Sequence, residues 1–308
     1  MTTVATPARI VPSPPKPANP ANRDQWAAAI MISPNLLLFT IFVGIPIIGA
    51  ILLSFCHWNL TGFPAWAGLA NYSELVRDPT AKTALVNTIL FALFGVAPTV
   101  VLGLLIAVLI NVPGRVVNVF RTLYYVPAVV SFAASAVLWQ WIYHPSTGIL
   151  DFFLSKVGIS GPQWLSDSSV ALPALDVIGI WMSLPVSVLL YMAALQRIPE
   201  STLEAATLDG CGPVRRMVNI VWPGVRPMTI LVAIVAFLAF TNGSFDLVNI
   251  MTQGGPVNAT TTLIYYTYYQ SIDNLNLGYG AALTVLQLLL IIVVIAGARG
   301  LQLLGARR

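Results

Sequence analysis

Six long apolar stretches separated by polar passages organise this chain. They run approximately over Ala27–Phe55, Leu85–Ile110, Leu123–Tyr143, Leu172–Leu195, Met228–Met251 and Gly278–Ala298. Each approaches or exceeds the about 20 apolar residues that a helix needs to cross roughly 30 Å of hydrocarbon. In lipid every backbone polar group must find its partner inside the protein, so spans of this length read as helices. The pattern predicts an all-α, polytopic membrane protein with six transmembrane helices. Pro34, Pro46, Pro98, Pro127 and Pro185 fall inside the stretches. Each removes a backbone donor, and together they predict a bundle of bent helices.

Composition agrees with this pattern. Of 308 residues, 57% are hydrophobic and 8% charged, with a mean hydropathy of +0.82. Soluble domains carry roughly 25% charged residues. Residues 1–24 are different: Pro7, Pro12, Pro14, Pro15, Pro17 and Pro20 stand among alanines and polar residues. That segment cannot bury apolar area and is expected to be a disordered cytoplasmic tail ahead of a six-span domain at 25–308.

The cations set the orientation. Arg9, Lys16 and Arg23 lie in the tail, Arg115 and Arg121 in the second loop, four arginines between Arg197 and Arg226, and Arg299, Arg307 and Arg308 at the end. The alternate loops hold Arg77, Lys82 and Lys156. The positive-inside rule then places both termini in the cytoplasm. The net charge of +4 is spread too thinly to support nucleic-acid binding. Cys56 and Cys211 fall on opposite sides of the membrane and cannot pair. No metal-ligand spacing accompanies them, and His57 and His144 at span ends read as solvated side chains.

Charge is scarce inside the spans. Asp176 and Asp246 sit toward outer ends, where water is expected to reach them. Ion-coupled transporters place ionisable groups at mid-depth despite the cost, so the pattern favours a neutral cargo. Two alternatives remain open on the residues alone: an ion-coupled secondary transporter of a small neutral solute, and a membrane assembly protein. No GxxxxGK[ST] loop for phosphates occurs. No HExxH, no GxSxG and no paired carboxylates inside the spans occur either, so no catalytic residue is assigned.

The passage EAATLDGCGPVRRMVNIVWPG, Glu204 to Gly224, interrupts the apolar pattern with an ordered polar design. Pro199 suits a first helical turn, and Ser201–Glu204 also reads as a capping box, so two starts are possible. Gly210 and Gly212 supply a stop, and Pro213 opens a second helix leading into the fifth span. A helix this short is marginal alone and needs a surface to hold it. Lying on lipid headgroups is the alternative.

Glu204, Ala205, Ala206, Gly210, Ile220 and Pro223 resemble the EAA loop of bacterial ABC importer permeases, with Trp222 where that family usually has leucine. The blocks WAGLANYSELVRDP, FRTLYYVPAVVSFAASAVLWQWIYHPSTGILD and FDLVNIMTQGGP resemble carbohydrate-importer permeases of the maltose and glycerol-phosphate type. The compact six-span form looks most like permeases of actinobacterial trehalose importers. The resemblance implies a type I importer permease fold in a bacterial plasma membrane. It implies a coupling helix at about 199–211, with Glu200, Leu203, Glu204, Ala205, Ala206, Asp209 and Gly210 facing an ATPase. ATP and Mg would be bound by two partner ATPase subunits, none in this chain. A homologous second permease and an extracytoplasmic sugar-binding lipoprotein complete the implied assembly, with loops 56–84, 144–171 and 252–277 as docking surface. Uncharged polar groups at mid-depth, namely Ser135, Ser183, Thr241, Asn242 and Ser244 beside Phe240, suit a sugar's hydroxyls and ring faces. Gly179, Met182, Ser183, Phe240, Thr241 and Ser244 match positions where family members contact sugar. Span serines and threonines also bond their own helix carbonyls without any further role.

Overall fold

A computed structural model describes residues 21–111 and 114–306. The tail expectation up to residue 20 lies outside them, and Ala21 already belongs to a helix. The chain divides after Gly49 into two compact units. The first holds α1 (Ala21–Phe39) and a π-turn, Thr40–Gly44, that leads into α2 (Ile45–Leu53). Its apolar residues, among them Ile32, Leu36 and Phe42, are exposed.

The second unit follows the remaining apolar pattern. A two-residue ribbon pairs β1 (Cys56–His57) with β2 (Ala65–Trp66), ahead of α3 (Ala70–Arg77) and α4 (Pro79–Ile110). Then come α5 (Arg115–Tyr125), α6 (Phe132–Ile142), α7 (Ile149–Lys156) and α8 (Ala171–Leu195). The polar passage forms α9 (Glu200–Leu208) and α10 (Pro213–Arg216), which runs through a π-turn, Met217–Val221, into α11 (Trp222–Leu247). Short α12 (Leu263–Tyr268) precedes α13 (Leu277–Ala306).

Among the described residues five helical stretches are long and apolar enough to span, one fewer than the six expected. The missing one is Leu123–Tyr143, which breaks into α5, a 3₁₀ turn at Val126–Val129 and α6. The cause is local. Pro127 has no N–H for a continuing helix, Val130 is extended (φ −89°, ψ 137°), and the Ser131 hydroxyl then accepts from Ala134 N at 3.2 Å to start α6 afresh. Two other spans are longer than the apolar pattern indicates. α4 begins at Pro79, where the Asp78 carboxylate accepts from Thr80 N at 2.8 Å. The stretch ending at Thr252 starts at Pro213 and covers 40 residues. It runs through a π-turn at Met217–Val221, carries Pro223 in the first turn of α11, where a missing N–H costs little, and continues past Pro227.

The centre is made by α4, α8 and α11. Along α4, with Phe91 and Leu104 as large exceptions, most of the buried positions are small, among them Ala84, Thr88, Gly95, Thr99, Gly103 and Ala107. On α8, Gly179, Ser183 and Ser187 match them. Helices in lipid gain little from apolar burial and associate through such small faces, where backbones come close. A Cβ added at Gly103 would sit 2.9 Å from Ser187 Cβ. Polar bonds fix the register further out. Asn87 Nδ2 donates to Asn258 O and Thr261 O, both at 2.9 Å, and Leu263 N donates to Thr88 Oγ1 at 2.8 Å.

Candidate functional site

α9 starts nearer the proline signal than the capping-box signal. Pro199 is its N-cap with no side-chain cap bond, so the Ser201–Glu204 box does not form. The helix ends in a Schellman motif: Cys211 N donates to Ala206 O at 2.9 Å and Gly210 N to Thr207 O at 3.1 Å. Gly210 has φ +72°, which glycine adopts without strain. Ala206 is buried against the chain, Leu203 is half-buried, and Glu200, Glu204, Ala205, Asp209 and Gly210 are exposed. Leu208 lies one turn beyond Glu204 and is 89% exposed. α9 therefore presents a small, acidic and apolar surface that its own chain leaves uncovered.

The mid-depth residues fall into four groups. Phe240 sits where a Cβ on Gly95 or Gly179 would collide with its ring, and it meets Phe91 edge-on at 5.3 Å. Gly179 and Phe240 are thus in contact, as packing partners. Met182 and Ser183 border a cavity of about 210 Å³ closed by Pro127, Phe132 and Ala236. The side chains of α11 turn back on their own helix. Thr241 Oγ1 donates to Phe237 O at 2.7 Å, Asn242 Nδ2 to Leu238 O at 3.0 Å, and Ser244 Oγ to Thr241 O at 3.1 Å and Thr262 Oγ1 at 3.3 Å. Asn242 is exposed on the opposite face from Phe240. Ser135, on α6, is fully buried, and its hydroxyl has no partner among the described residues.

Asp176 departs from the expectation. It was expected within reach of water, yet it is only 4% exposed, and neither carboxylate oxygen has a partner among the described residues. Its position five residues inside α8, on the face shared with Ser183 and Ser187, carries it into the contact among the central helices. Residue order alone measures depth along a helix; it says nothing of which neighbours cover a face.

At the far end of α11 from α9 lies a cavity of about 850 Å³, walled by Gln140, Tyr143, His144, Leu165, Thr252 and Pro256 among others. The sequence reading missed it. His144 is exposed, as expected of a solvated side chain, and its Nδ1 contacts Thr147 Oγ1 at 3.0 Å and Ser146 Oγ at 3.3 Å in a local turn. The signal available was the aromatic run WQWIY beside it. Tyr143 stacks on Trp164 at 5.4 Å and lies 5.2 Å from Trp139, which meets Trp181 at 5.9 Å. Trp164 is positioned by donating Nε1–H to Asp151 Oδ1 at 2.9 Å.

Nearby, Asp78 joins three elements. Tyr266 and Tyr279 each donate to its Oδ2 at 2.6 Å. Partial burial pushes its carboxyl up, but these two hydroxyls with the Thr80 and Ala81 amides outweigh that and hold it below the usual carboxylate value.

Several helices long and apolar enough to cross a membrane, a small-residue centre and an uncovered helix–turn–helix between two spans suit a transport permease. The family described as binding-protein-dependent transport system inner membrane component matches residues 99–302, and this chain belongs to it. A probable ABC transporter permease protein of Pyrococcus horikoshii is 33% identical over 86% of this chain and 92% of its own length. The sn-glycerol-3-phosphate transport system permease protein UgpA of Pectobacterium atrosepticum is 31% identical (89% and 93%). The sulfoquinovosyl glycerol transport system permease protein SmoG of Agrobacterium fabrum is also 31% identical (89% and 89%). A chain of a bacterial alginate ABC transporter crystallised with a pentasaccharide-bound periplasmic protein superposes with a TM-score of 0.77 at 20% identity, covering 90% of this chain and 94% of that one. The fold is therefore that of an ABC importer permease, a subunit type without its own ATPase site. The ion-coupled and assembly-protein readings fall with that assignment.

Proposed function

We propose that this chain is half of the pore of an ATP-driven importer of a neutral carbohydrate, a disaccharide such as trehalose. The observation that carries the neutral class is the charge of the central helices. Residues 83–110, 122–150, 171–195 and 228–252 contain no lysine or arginine, and among their described residues the buried carboxylic acid is Asp176. Relatives named for glycerol phosphate and sulfoquinovosyl glycerol move anions, which call for a guanidinium, an ammonium or an equivalent donor cluster. A lone buried acid supplies none of these. Ser135, Gly179, Met182, Ser183, Phe240, Thr241, Asn242 and Ser244 supply hydroxyl, amide and ring surface for a sugar once the helices part.

In this reading a homologous second permease completes the pore, each of two cytoplasmic ATPases grips one permease, here through the α9 surface, and an extracytoplasmic binding protein delivers the sugar. Both termini face the cytoplasm. Tying α9 to two spans through a rigid glycine turn converts ATPase closure into a tilt of the bundle. The test is ATP-dependent uptake of radiolabelled trehalose and of sn-glycerol 3-phosphate. Uptake of the disaccharide alone is expected, and uptake of the phosphate alone ends the neutral reading. Ser183→Trp and Thr241→Trp should abolish uptake while the complex still assembles. Undiminished uptake in both variants removes the mid-depth site.

A further inference from the structure

We infer that the cavity of about 850 Å³ at the end of the bundle away from α9 is an entry subsite for the carbohydrate, distinct from the mid-depth residues. The inference rests on the proposed sugar-import function and adds a second place where the ligand is held. Four observations carry it.

The lining residues include no lysine, arginine, aspartate or glutamate, although the cavity opens at a polar end of the bundle. A wall built from uncharged hydrogen-bonding groups and rings suits a polyhydroxylated, uncharged ligand. Gln140 donates one amide hydrogen to Ile250 O at 2.7 Å, and a primary amide has donor and acceptor capacity beyond one bond. Trp141 stands 78% exposed on the wall beside Tyr143 and offers a ring face against which a sugar's apolar side can stack. Finally, the wall has unmet polar groups directly behind it. The rings of Trp139 and Tyr143 touch, and Trp139 Nε1 and Ser135 Oγ, one turn apart on α6, have no partner among the described residues. Buried polar atoms left unpaired are costly. A ligand rich in hydroxyls would satisfy them on its way past.

These features align along α6. Its C-terminal end carries the large cavity, its middle carries the unpaired Ser135 and Trp139, and Phe132 at its first turn borders the smaller cavity with Met182 and Ser183. The broken third span thereby supplies one short helix that connects two spaces. The Trp139–Tyr143–Trp181 cluster closes the path between them.

The experiment uses the full chain in intact cells that contain the whole transporter, with Cys56 and Cys211 replaced by serine. Ser166→Cys places a reporter at the cavity, and Ser160→Cys places one on the same loop outside it. Both uptake-competent variants are labelled with a membrane-impermeant maleimide in the presence of trehalose, maltose, sucrose or sn-glycerol 3-phosphate. A neutral disaccharide at ten times its Kd should slow labelling of Ser166→Cys about tenfold by occupancy alone and leave Ser160→Cys unchanged. Adding Trp141→Ala should raise the protecting concentration at least severalfold; Gln140→Leu is the second variant, should the first alter expression. Three results overturn the subsite: no protection by any of the disaccharides, equal protection by sn-glycerol 3-phosphate, or loss of labelling at both positions irrespective of sugar, which assigns the cavity to a docked protein. Uptake measured in the same cells separates the two readings. Intact disaccharide uptake without protection removes the subsite alone, whereas absence of disaccharide uptake in the parent removes the proposed function.

Discussion

The ring of Phe240 occupies a space that exists because two residues elsewhere lack side chains. A Cβ at Gly179 would lie 2.6 Å from the Phe240 ring, and one at Gly95 closer still. Gly179→Ala should therefore destabilise the bundle by about 1–3 kcal/mol through overpacking, read as a lower melting temperature in detergent. Phe240→Leu in the Gly179→Ala background should recover part of the loss. Additive effects of the two changes would show that they do not share this space. Asp78 makes a second local argument. Its folded-state carboxyl is held below the ordinary value of 3.8, so it contributes stability that is present above that value and is lost as pH falls through the folded one. Lowering the pH from 6 toward 3 should cost the parent protein more stability than Asp78→Asn, in which the acid-dependent part is absent. Equal acid sensitivity would show that the Tyr266 and Tyr279 bonds contribute nothing to folding.

α9 is nine residues long and would be marginal in isolation. Its Schellman end and the burial of Ala206 hold it in place, leaving Glu204, Ala205 and Leu208 outward. Gly210→Ala forces an L residue to φ +72°, a cost of about 1–2 kcal/mol, and should impair coupling through loss of shape. Leu208→Asp should leave thermal stability within about 0.5 kcal/mol, since the side chain is exposed. It should nevertheless reduce co-purification of the ATPase and abolish uptake. Normal recruitment and uptake in Leu208→Asp would mean that this surface is not the docking face. The broken α5–α6 segment is the complementary case, where one proline and one serine cap divide what composition presents as a single apolar span.

Across the molecule, orientation and energy conversion depend on which side α9 faces. In the cysteine-free background, Ser201→Cys should resist an impermeant maleimide in intact cells and react in inverted vesicles. Ser160→Cys should show the reverse. Reaction of Ser201→Cys from outside would invert the topology and remove any cytoplasmic motor from the mechanism.

Much of this architecture was legible along the chain. Apolar run length is a local property set by bilayer thickness, so the spans were readable wherever the helix stayed continuous. Gly210 likewise acts on its own backbone, so the stop of α9 was visible before any tertiary contact, whereas the structure chose between the two starts that Pro199 and Ser201 offered. The EAA residues carried the family. What remained hidden depended on which faces meet. Asp176 looked accessible because depth along a helix can be counted, whereas its burial depends on the faces of α4 and α11. Gly179 and Phe240 resembled ligand contacts, and only the approach of α8 to α11 revealed that their shapes answer one another. The large cavity has walls drawn from α6, the 144–147 and 165–166 loops and the 251–256 turn. No local pattern could assemble segments so distant in sequence, because their proximity is a product of helix packing.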